Sequence, residues 1–205
     1  MTASRITKQT AQNIRQIPVT DRILDVAEQL AQTRGFNGFS YADIAKEMFV
    51  TKASLHYHYP SKADLGRALI MRYKEAFMNA LEVIDRQENN AHKKLQKYIG
   101  LYESVIRKDR MCLCGMFAAE YTTLPPEMQA ELRLFFDVNE RWLAQVLEQG
   151  LSDHDLEFKE PPQERARVLL GALEGAMLVA RSYGDFGRFR SAAKHIMAGL
   201  VVGKV

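Results

Sequence analysis

Residues 42–62 constrain the fold more than any other part of the chain. They contain two short helical patterns separated by a turn at residues 48–50, and Ser40 and Thr51 stand where the two helices would begin. Ser and Thr are favoured at helix N-termini because the side-chain oxygen accepts a backbone N–H. Two short helices joined by so tight a turn are typical of the helix-turn-helix, whose second helix enters the major groove of DNA.

Helical periodicity continues through the rest of the chain. Apolar residues at Ile23, Leu24, Ala27, Leu30 and Ala31 predict a first helix over about 20–34, which Thr20 or Asp21 would cap and Gly35 would end. After the second helix, further helices are predicted over about 52–58, 62–87, 92–107, 111–122, 126–149, 163–182 and 187–202. Since no run alternates β-branched residues in the manner of a strand, we predict an all-α fold of about nine helices.

The positive charge is unevenly placed. The net charge is +3, and residues 1–62 account for all of it with eight basic and five acidic side chains. A basic end beside a neutral remainder suits contact with DNA, although so small an excess also fits a random fluctuation. Residues 1–18 lack an apolar period and carry three basic residues, which predicts either a flexible tail or a basic arm on DNA.

The cysteine content and the hydropathy of the chain indicate its cellular compartment. Two cysteines in 205 residues exclude a disulfide framework. No signal-peptide pattern opens the chain, and its apolar runs are far shorter than the roughly 20 residues that span a bilayer. We therefore expect a cytoplasmic protein without a membrane partner.

The predicted third helix carries most of the candidate DNA contacts. Residues at the start of such a helix meet base edges, so Lys52 can reach a guanine or a phosphate, and the small Ala53 lets the backbone approach. Leu55 is either a core residue or a contact to a thymine methyl. The full candidate set, including expected phosphate contacts, is Ser40, Thr51, Lys52, Ala53, Leu55, His56, Tyr57, His58 and Lys62.

These residues carry a family resemblance. Between residues 23 and 65 the chain reads Gly35-Phe36, Ser40, Asp43-Ile44-Ala45, Thr51-Lys52, Leu55-His56-Tyr57-His58-Tyr59, Ser61-Lys62 and Leu65. The pattern and its spacing resemble the N-terminal domain of the TetR family of bacterial transcriptional regulators. The resemblance implies an all-α homodimer, usually a repressor, that leaves a palindromic operator when a small ligand binds. The implied domains are an arm over 1–18, a helix-turn-helix domain over 19–65, and a ligand-binding and dimerisation domain over 66–205.

Two positions depart from the family pattern. The family usually has Ala-Gly-Val at the turn, whereas this chain has Met48, Phe49 and Val50. Either the turn differs slightly, or packing of Phe49 absorbs the strain of a left-handed backbone, which costs about 1 kcal/mol or more for a bulky residue. His56 replaces a common tyrosine, which would alter base preference or make DNA binding sensitive to pH.

Two lone carboxylates lie in apolar stretches of the second half. Glu120 is the sole charged residue of the stretch 111–126, and Glu174 is the sole charged residue of the stretch 168–180. A carboxylate in such a place is costly unless paired. It could pair with Arg141 or Arg181 or reach water, or it could orient a polar or cationic ligand in a pocket.

The two cysteines are close together in sequence. Cys112 and Cys114 could be small buried hydrophobes, or Cys112 could be a reactive thiol near a helix start. Because no nearby His or Cys completes a ligand set, a metal site is not predicted, nor is any cofactor. The run Cys112-Leu113, Gly115, Ala118-Ala119-Glu120 and Leu124-Pro125 resembles a branch of the family that responds to electrophiles or small unsaturated metabolites. This resemblance implies that Cys112 senses such a compound.

Aromatic residues and small residues complete the second half. The candidate ligand-binding set is Cys112, Phe117, Glu120, Trp142, Glu174 and Tyr183. Stripes of small residues allow helices to approach closely, which predicts a dimer interface on the last two helices or packing within one chain. The stripes consist of Gly171, Ala172, Gly175, Ala176 and Ala180, and of Ala192, Ala193 and Gly199.

A ligand-responsive DNA-binding repressor is the function that these features favour, and an enzyme is not expected. Two alternatives stay open. The first is a thiol-dependent enzyme using Cys112 and Cys114, although the nearest downstream histidine is His154. The second is a DNA-binding protein that takes no ligand.

Overall fold

The chain folds as the predicted all-α protein. The computed structural model describes residues 18–200, and within that range it contains nine α-helices, one short 3-10 helix and no strand. The helices are α1 (Val19–Arg34), α2 (Tyr41–Met48), α3 (Lys52–His58), α4 (Lys62–Gln87), α5 (Ala91–Ile106), α6 (Leu113–Ala119), α7 (Pro126–Ser152), α8 (Pro162–Ser182) and α9 (Phe186–Ala198), with the 3-10 helix at Tyr121–Thr123.

Most helix boundaries agree with those expected within one residue. Helix α7 extends three residues further than expected, to Ser152, and three other helices differ in how they begin or end. Helix α1 begins after Pro18, so neither Thr20 nor Asp21 caps it, and Asp21 lies in its first turn. Helix α6 is shorter than predicted because Cys112 occupies its N-cap and the chain tightens into a 3-10 turn after Glu120. Helix α9 ends at Ala198. The predicted arm, apart from Pro18, lies outside the described residues.

The first three helices form a small domain around α1. The predicted apolar face of α1 is buried, and Ile44 of α2 and Leu55 of α3 are buried against it. The hydroxyl of Tyr41 lies 2.7 Å from the carbonyl oxygens of both Tyr59 and Ser61, which ties α2 to the turn between α3 and α4. These contacts fix the orientation of α3 relative to α2.

The remaining helices form a second bundle around α7 and α8. Helix α8 packs against α7 and α9, and α4 packs against α7. Trp142 of α7 stacks on Tyr98 of α5 at 5.5 Å, and its indole N–H donates to Asp85 of α4 at 2.8 Å. Among the helices that the structure describes, none is long and apolar enough to cross a membrane.

Glu120, at the end of α6, connects the two parts of the molecule. Its carboxylate accepts the backbone N–H of Phe36 at 2.5 Å and that of Asn37 at 3.3 Å, both in the loop between α1 and α2. The loop approaches closely because Gly35 has a positive φ of 80° and no side chain. A Cβ there would lie 2.8 Å from the carboxylate. The expectation that Glu120 lies in a ligand pocket is therefore wrong for this structure, since its oxygens are taken up by the loop.

Lys62 holds the same loop from the other side. Its ammonium donates to the carbonyl oxygens of Phe36 at 2.6 Å and Phe39 at 2.5 Å, and it lies 4.6 Å from the centre of each of the two rings. Burial lowers the pKa of this lysine, and the charges of Glu120 and Asp43 partly offset the effect. The loop between α1 and α2, residues 35–39, is thus fixed at once to α6 and to the start of α4.

Two arginines reinforce the junction. Arg72 of α4 pairs with Asp25 at 2.8 Å and with Glu28 at 2.7 Å on α1. Arg181 of α8 donates to the carbonyl oxygens of Gln32 and Thr33 at the end of α1. Helix α4 also crosses the predicted boundary at residues 65–66 without a break, so no flexible linker separates the parts.

Replacing Glu120 with alanine is expected to lower the free energy of unfolding by about 1–3 kcal/mol, because the partly buried N–H of Phe36 loses a charged acceptor. The measurement is urea unfolding followed by circular dichroism. Glu148→Ala, which removes an exposed carboxylate on α7, is the matched control and should change stability by less than about 0.5 kcal/mol. Equal losses in the two variants would show that the contact with the loop contributes nothing.

Candidate nucleic-acid interface and effector cavity

Helix α3 presents one polar face to solvent because Leu55 anchors the other. Thr51 caps the helix by accepting the N–H of Ser54 at 3.3 Å, and Leu55 is 1% exposed. Lys52 and His56 are four residues apart, as are Ala53 and Tyr57, so each pair shares a side of the helix. All four residues are exposed.

The aromatic residues of α3 differ in how they are held. Tyr57 is 84% exposed and touches only the edge of His58, at 5.1 Å between ring centres. His56 packs on Tyr41 at 4.5 Å, with its Nδ1 3.1 Å from the carbonyl oxygen of Pro60. Since a carbonyl only accepts, Nδ1 carries the proton in this contact, and Nε2 is left to accept when the ring is neutral or to donate when it is charged.

Three of the nine candidate DNA contacts are engaged inside the protein. Leu55 is a core residue, which leaves the thymine-methyl alternative without support. Lys62 is committed to the two loop carbonyls and does not extend toward a phosphate. The hydroxyl and N–H of Ser40 both bond to Asp43, at 2.6 and 2.8 Å, where they cap α2, although the residue itself stays exposed.

Phe49 lies in the turn and projects into solvent. Its backbone is left-handed, with φ of 56°, and the side chain is 95% exposed. Packing therefore does not absorb the strain of this conformation, contrary to one of the two alternatives. The ring stands two residues before Thr51 and adds a large apolar group beside α3. The sequence showed that a bulky residue replaces glycine at this position, but it did not show that the ring would be exposed.

A cavity of about 480 Å³ opens between α6, α7 and α8. Its walls are mostly small or apolar and include Gly115, Ala119, Phe136, Gly171 and Gly175. Glu174 also lines it, and among the six predicted ligand-binding residues it is the one that does so. The two glycines of α8 were expected at a dimer interface or in packing within one chain.

The carboxylate of Glu174 is buried without a hydrogen-bond partner. Both oxygens are shielded from solvent although the residue as a whole is only half-buried. They lie so close to Gly115 that a Cβ there would be 2.2 Å from Oε2. Burial raises the pKa of Glu174 to about 7, and the nearby side chains of Cys112 and Tyr102 offset part of the rise.

Both cysteines are buried thiols. Cys112 is 2% exposed and Cys114 is fully buried. Burial raises the pKa of each thiol well above its ordinary value, and the charge of Glu174 raises that of Cys112 further. The structure therefore favours the small-hydrophobe alternative, with Cys112 also accepting the N–H of Gly115 at 3.5 Å.

The other predicted ligand residues are not brought together. Phe117 is buried with its edge against Phe36 at 5.5 Å, so it faces the first domain. Trp142 belongs to the α4–α5–α7 core. Tyr183 is 65% exposed after α8, with Arg188 over its ring. The structure does not bring these three residues together with Glu174, because their helices turn them to different neighbours.

A second cavity, of about 550 Å³, lies between α1, α4 and α5. Its polar rim includes the Arg72 pair with Asp25 and Glu28, and its apolar wall includes Tyr73 and Phe77. Sequence reasoning missed this cavity because its wall combines helices that are far apart in the chain. Within residues 18–200, no group of three or more His, Cys, Asp or Glu side chains could hold a metal ion.

The raised pKa of Glu174 predicts a pH-dependent stability. Since the folded protein holds the proton more tightly than the unfolded chain, this group stabilises the fold fully below its ordinary value of 4.5, and that contribution is lost as pH rises through about 7. The loss amounts to about 3 kcal/mol. Glu174→Gln should abolish it, so the stability difference between variant and wild type should grow in favour of the variant from pH 5 to pH 8 in urea unfolding. A difference independent of pH would contradict this assignment.

Comparison with known proteins places these features in a family. The family model described as bacterial regulatory proteins, tetR family, matches residues 23–69. The HTH-type transcriptional repressor NemR of Escherichia coli (strain K12) is 26% identical over 183 residues, which cover 86% of this chain and 90% of that protein.

Solved structures agree over almost the whole chain. A TetR family transcriptional regulator from Agrobacterium tumefaciens is 30% identical, with a TM-score of 0.87, over 89% of this chain and 97% of the other. A TetR transcriptional regulator from Legionella pneumophila is 33% identical, with a TM-score of 0.82, over 90% of this chain and 98% of the other. The chain therefore belongs to the TetR family and is a DNA-binding transcriptional regulator, not an enzyme.

Proposed function

We propose that the protein is a homodimeric repressor in the bacterial cytoplasm that binds a palindromic operator through α3 and releases it when a small molecule occupies the cavity between α6, α7 and α8. The observation that carries the proposal is the exposed polar face of α3 on a domain whose loop is bonded to the second bundle. The similar protein NemR is a transcriptional repressor, which supports repression as the sign of regulation.

Each exposed residue of α3 has a role suited to its chemistry. Lys52 and Ala53 lie at the start of the helix, the part that meets base edges, where Lys52 donates to guanine or to phosphate. Thr51, Tyr57 and His58 can donate hydrogen bonds to phosphates along the groove. His56 is exposed on the same helix and its ring is a further polar group beside the groove.

A two-fold dimer would place two copies of α3 on one face of DNA. Helix α8 exposes Val168 and Val179, which are 61% and 51% accessible and do not line the cavity. An apolar strip that allows close helix approach suits a self-complementary interface. Two reading helices about 34 Å or somewhat more apart then match successive turns of the major groove, which is why the operator is expected to be a palindrome.

Ligand occupancy explains release better than thiol reaction does. Cys112 is buried and its pKa is raised, so in this conformation it lacks the thiolate that an electrophile would require. The cavity, in contrast, reaches Gly115 in the first turn of α6. A molecule that seats there presses on α6 directly.

Helix α6 is the proposed connection between the cavity and DNA. It is seven residues long, about 10 Å, with Cys112 and Gly115 at one end and Glu120 at the other. Any shift of α6 pulls on Phe36 and Asn37 through Glu120, and Lys62 passes the displacement to the start of α4. A few kcal/mol of differential affinity between the two arrangements is enough for regulation.

Selection of genomic fragments with the purified protein tests this function. One palindrome should be enriched, and Lys52→Ala or Tyr57→Ala should weaken binding to it about tenfold or more, because each removes an exposed group of α3. Affinities are measured by fluorescence anisotropy at one fixed salt concentration.

Lys194→Ala is the matched control for Lys52→Ala. It removes one exposed positive charge from α9, so it should leave operator affinity nearly unchanged. The proposal fails if no fragment is enriched, or if the α3 variants bind as well as the wild type while the fold is intact by circular dichroism.

A further inference from the structure

The inner end of the cavity between α6, α7 and α8 holds a carboxylate that forms no ion pair with any residue of the part of the chain that the structure describes. Both oxygens of Glu174 are shielded from water, and among residues 18–200 no side chain or backbone group meets them in good hydrogen-bond geometry. The Cys112 thiol and the Tyr102 hydroxyl are its polar neighbours, and they offset only part of the rise that burial causes in its pKa. Burying a carboxylate without a partner is unfavourable by several kcal/mol in general. The ionised form of such a group is stabilised when a cation from outside the chain pairs with it.

The nearest arginines are already engaged elsewhere. Arg167, at the rim of the cavity, bonds to Glu140 at 3.3 Å. Arg181 donates to the carbonyl oxygens at the end of α1 and to the sulfur of Met116. The ion pair between Glu174 and Arg181 that the sequence allowed is therefore not formed.

The shape of the cavity leaves room for a small molecule beside Glu174. A Cβ added to Gly171 or Gly175 would meet no atom within 4 Å, so the α8 wall is open there. Phe136 contributes an aromatic ring, whose face attracts cations. A volume of about 480 Å³ lies within the range of small-molecule sites, which usually combine apolar walls with a few placed polar groups.

We propose that this cavity binds a small organic cation, an ammonium or amidinium on an apolar body, with its protonated nitrogen on the carboxylate of Glu174. The assignment rests on the proposed function in naming this cavity as the effector site, but binding itself requires no DNA. A cation restores the interaction that burial removed from Glu174, whereas a neutral analogue of the same shape restores only part of it and an anion is repelled.

The proposal has a second measurable consequence, which is the release of a proton from Glu174 on binding. With a pKa of about 7, the free group is partly protonated at neutral pH. An arriving cation favours the ionised carboxylate, so binding at pH 7 should release a fraction of a proton to the buffer.

The experiment uses pairs of compounds that differ in charge and little in shape, with the full-length protein. The pairs are phenethylamine and phenethyl alcohol, benzamidine and benzamide, and hexylamine and hexanol, measured by thermal shift and by calorimetry in two buffers of different ionisation enthalpy. At least one cation should bind about tenfold more tightly than its neutral partner, with an enthalpy that depends on the buffer. Glu174→Gln, which keeps the shape of the side chain, should abolish both the preference and the buffer dependence.

Glu148→Gln is the control, because Glu148 is an exposed carboxylate of α7 that does not line this cavity. It should keep the preference for the cation. The proposal is overturned if no cation of the panel binds better than its neutral partner, or if the preference survives in folded Glu174→Gln. Operator binding without any cation preference would contradict this inference and leave the proposed function supported. Cation binding by a protein that selects no operator would support this inference and contradict the proposed function.

Discussion

The short loop at residues 35–39 is the point on which the arrangement of the molecule depends. Its N–H groups are held by Glu120 of α6 and its carbonyl groups by Lys62 of α4, so one segment of five residues is bonded to two helices of the second bundle. Because α2 begins directly after this loop and α3 follows α2, the direction in which α3 faces DNA is set from the second bundle. A helix-turn-helix attached only through a flexible linker would have no such dependence.

The same connection gives a physical meaning to the unpaired carboxylate of Glu174. This carboxylate lies against Gly115 at the start of α6, and Glu120, which bonds to the loop, lies at the other end of the same helix. An effector that draws Glu174 toward the cavity changes what α6 packs against, and α6 has few ways to relax without moving the loop. The stability lost by burying this acid and the coupling between the cavity and the loop therefore have the same structural origin.

Local patterns predicted the local structure well, and contacts between distant residues were beyond them. The caps at Thr51 and Ser61 and the apolar face of α1 follow from neighbours within four residues, and α4 begins and ends where the pattern placed it. Glu120 was noted as a lone carboxylate and Lys62 as a candidate phosphate contact, but the residues that they bind in the structure are 84 and 26 positions away from them, beyond the reach of a local pattern. The exposure of Leu55, Phe117 and Phe49 likewise depends on which helices meet, which periodicity does not specify.

Reciprocal coupling gives the most direct test that α6 connects the cavity to DNA. For a small molecule that releases the operator, calorimetry gives its affinity for the free dimer and for the operator-bound dimer. The two affinities must differ by the same factor by which the molecule weakens operator binding. In Glu120→Ala that factor should fall toward one, while Glu148→Ala should keep it. An unchanged factor in a folded, DNA-binding Glu120→Ala protein would contradict the account.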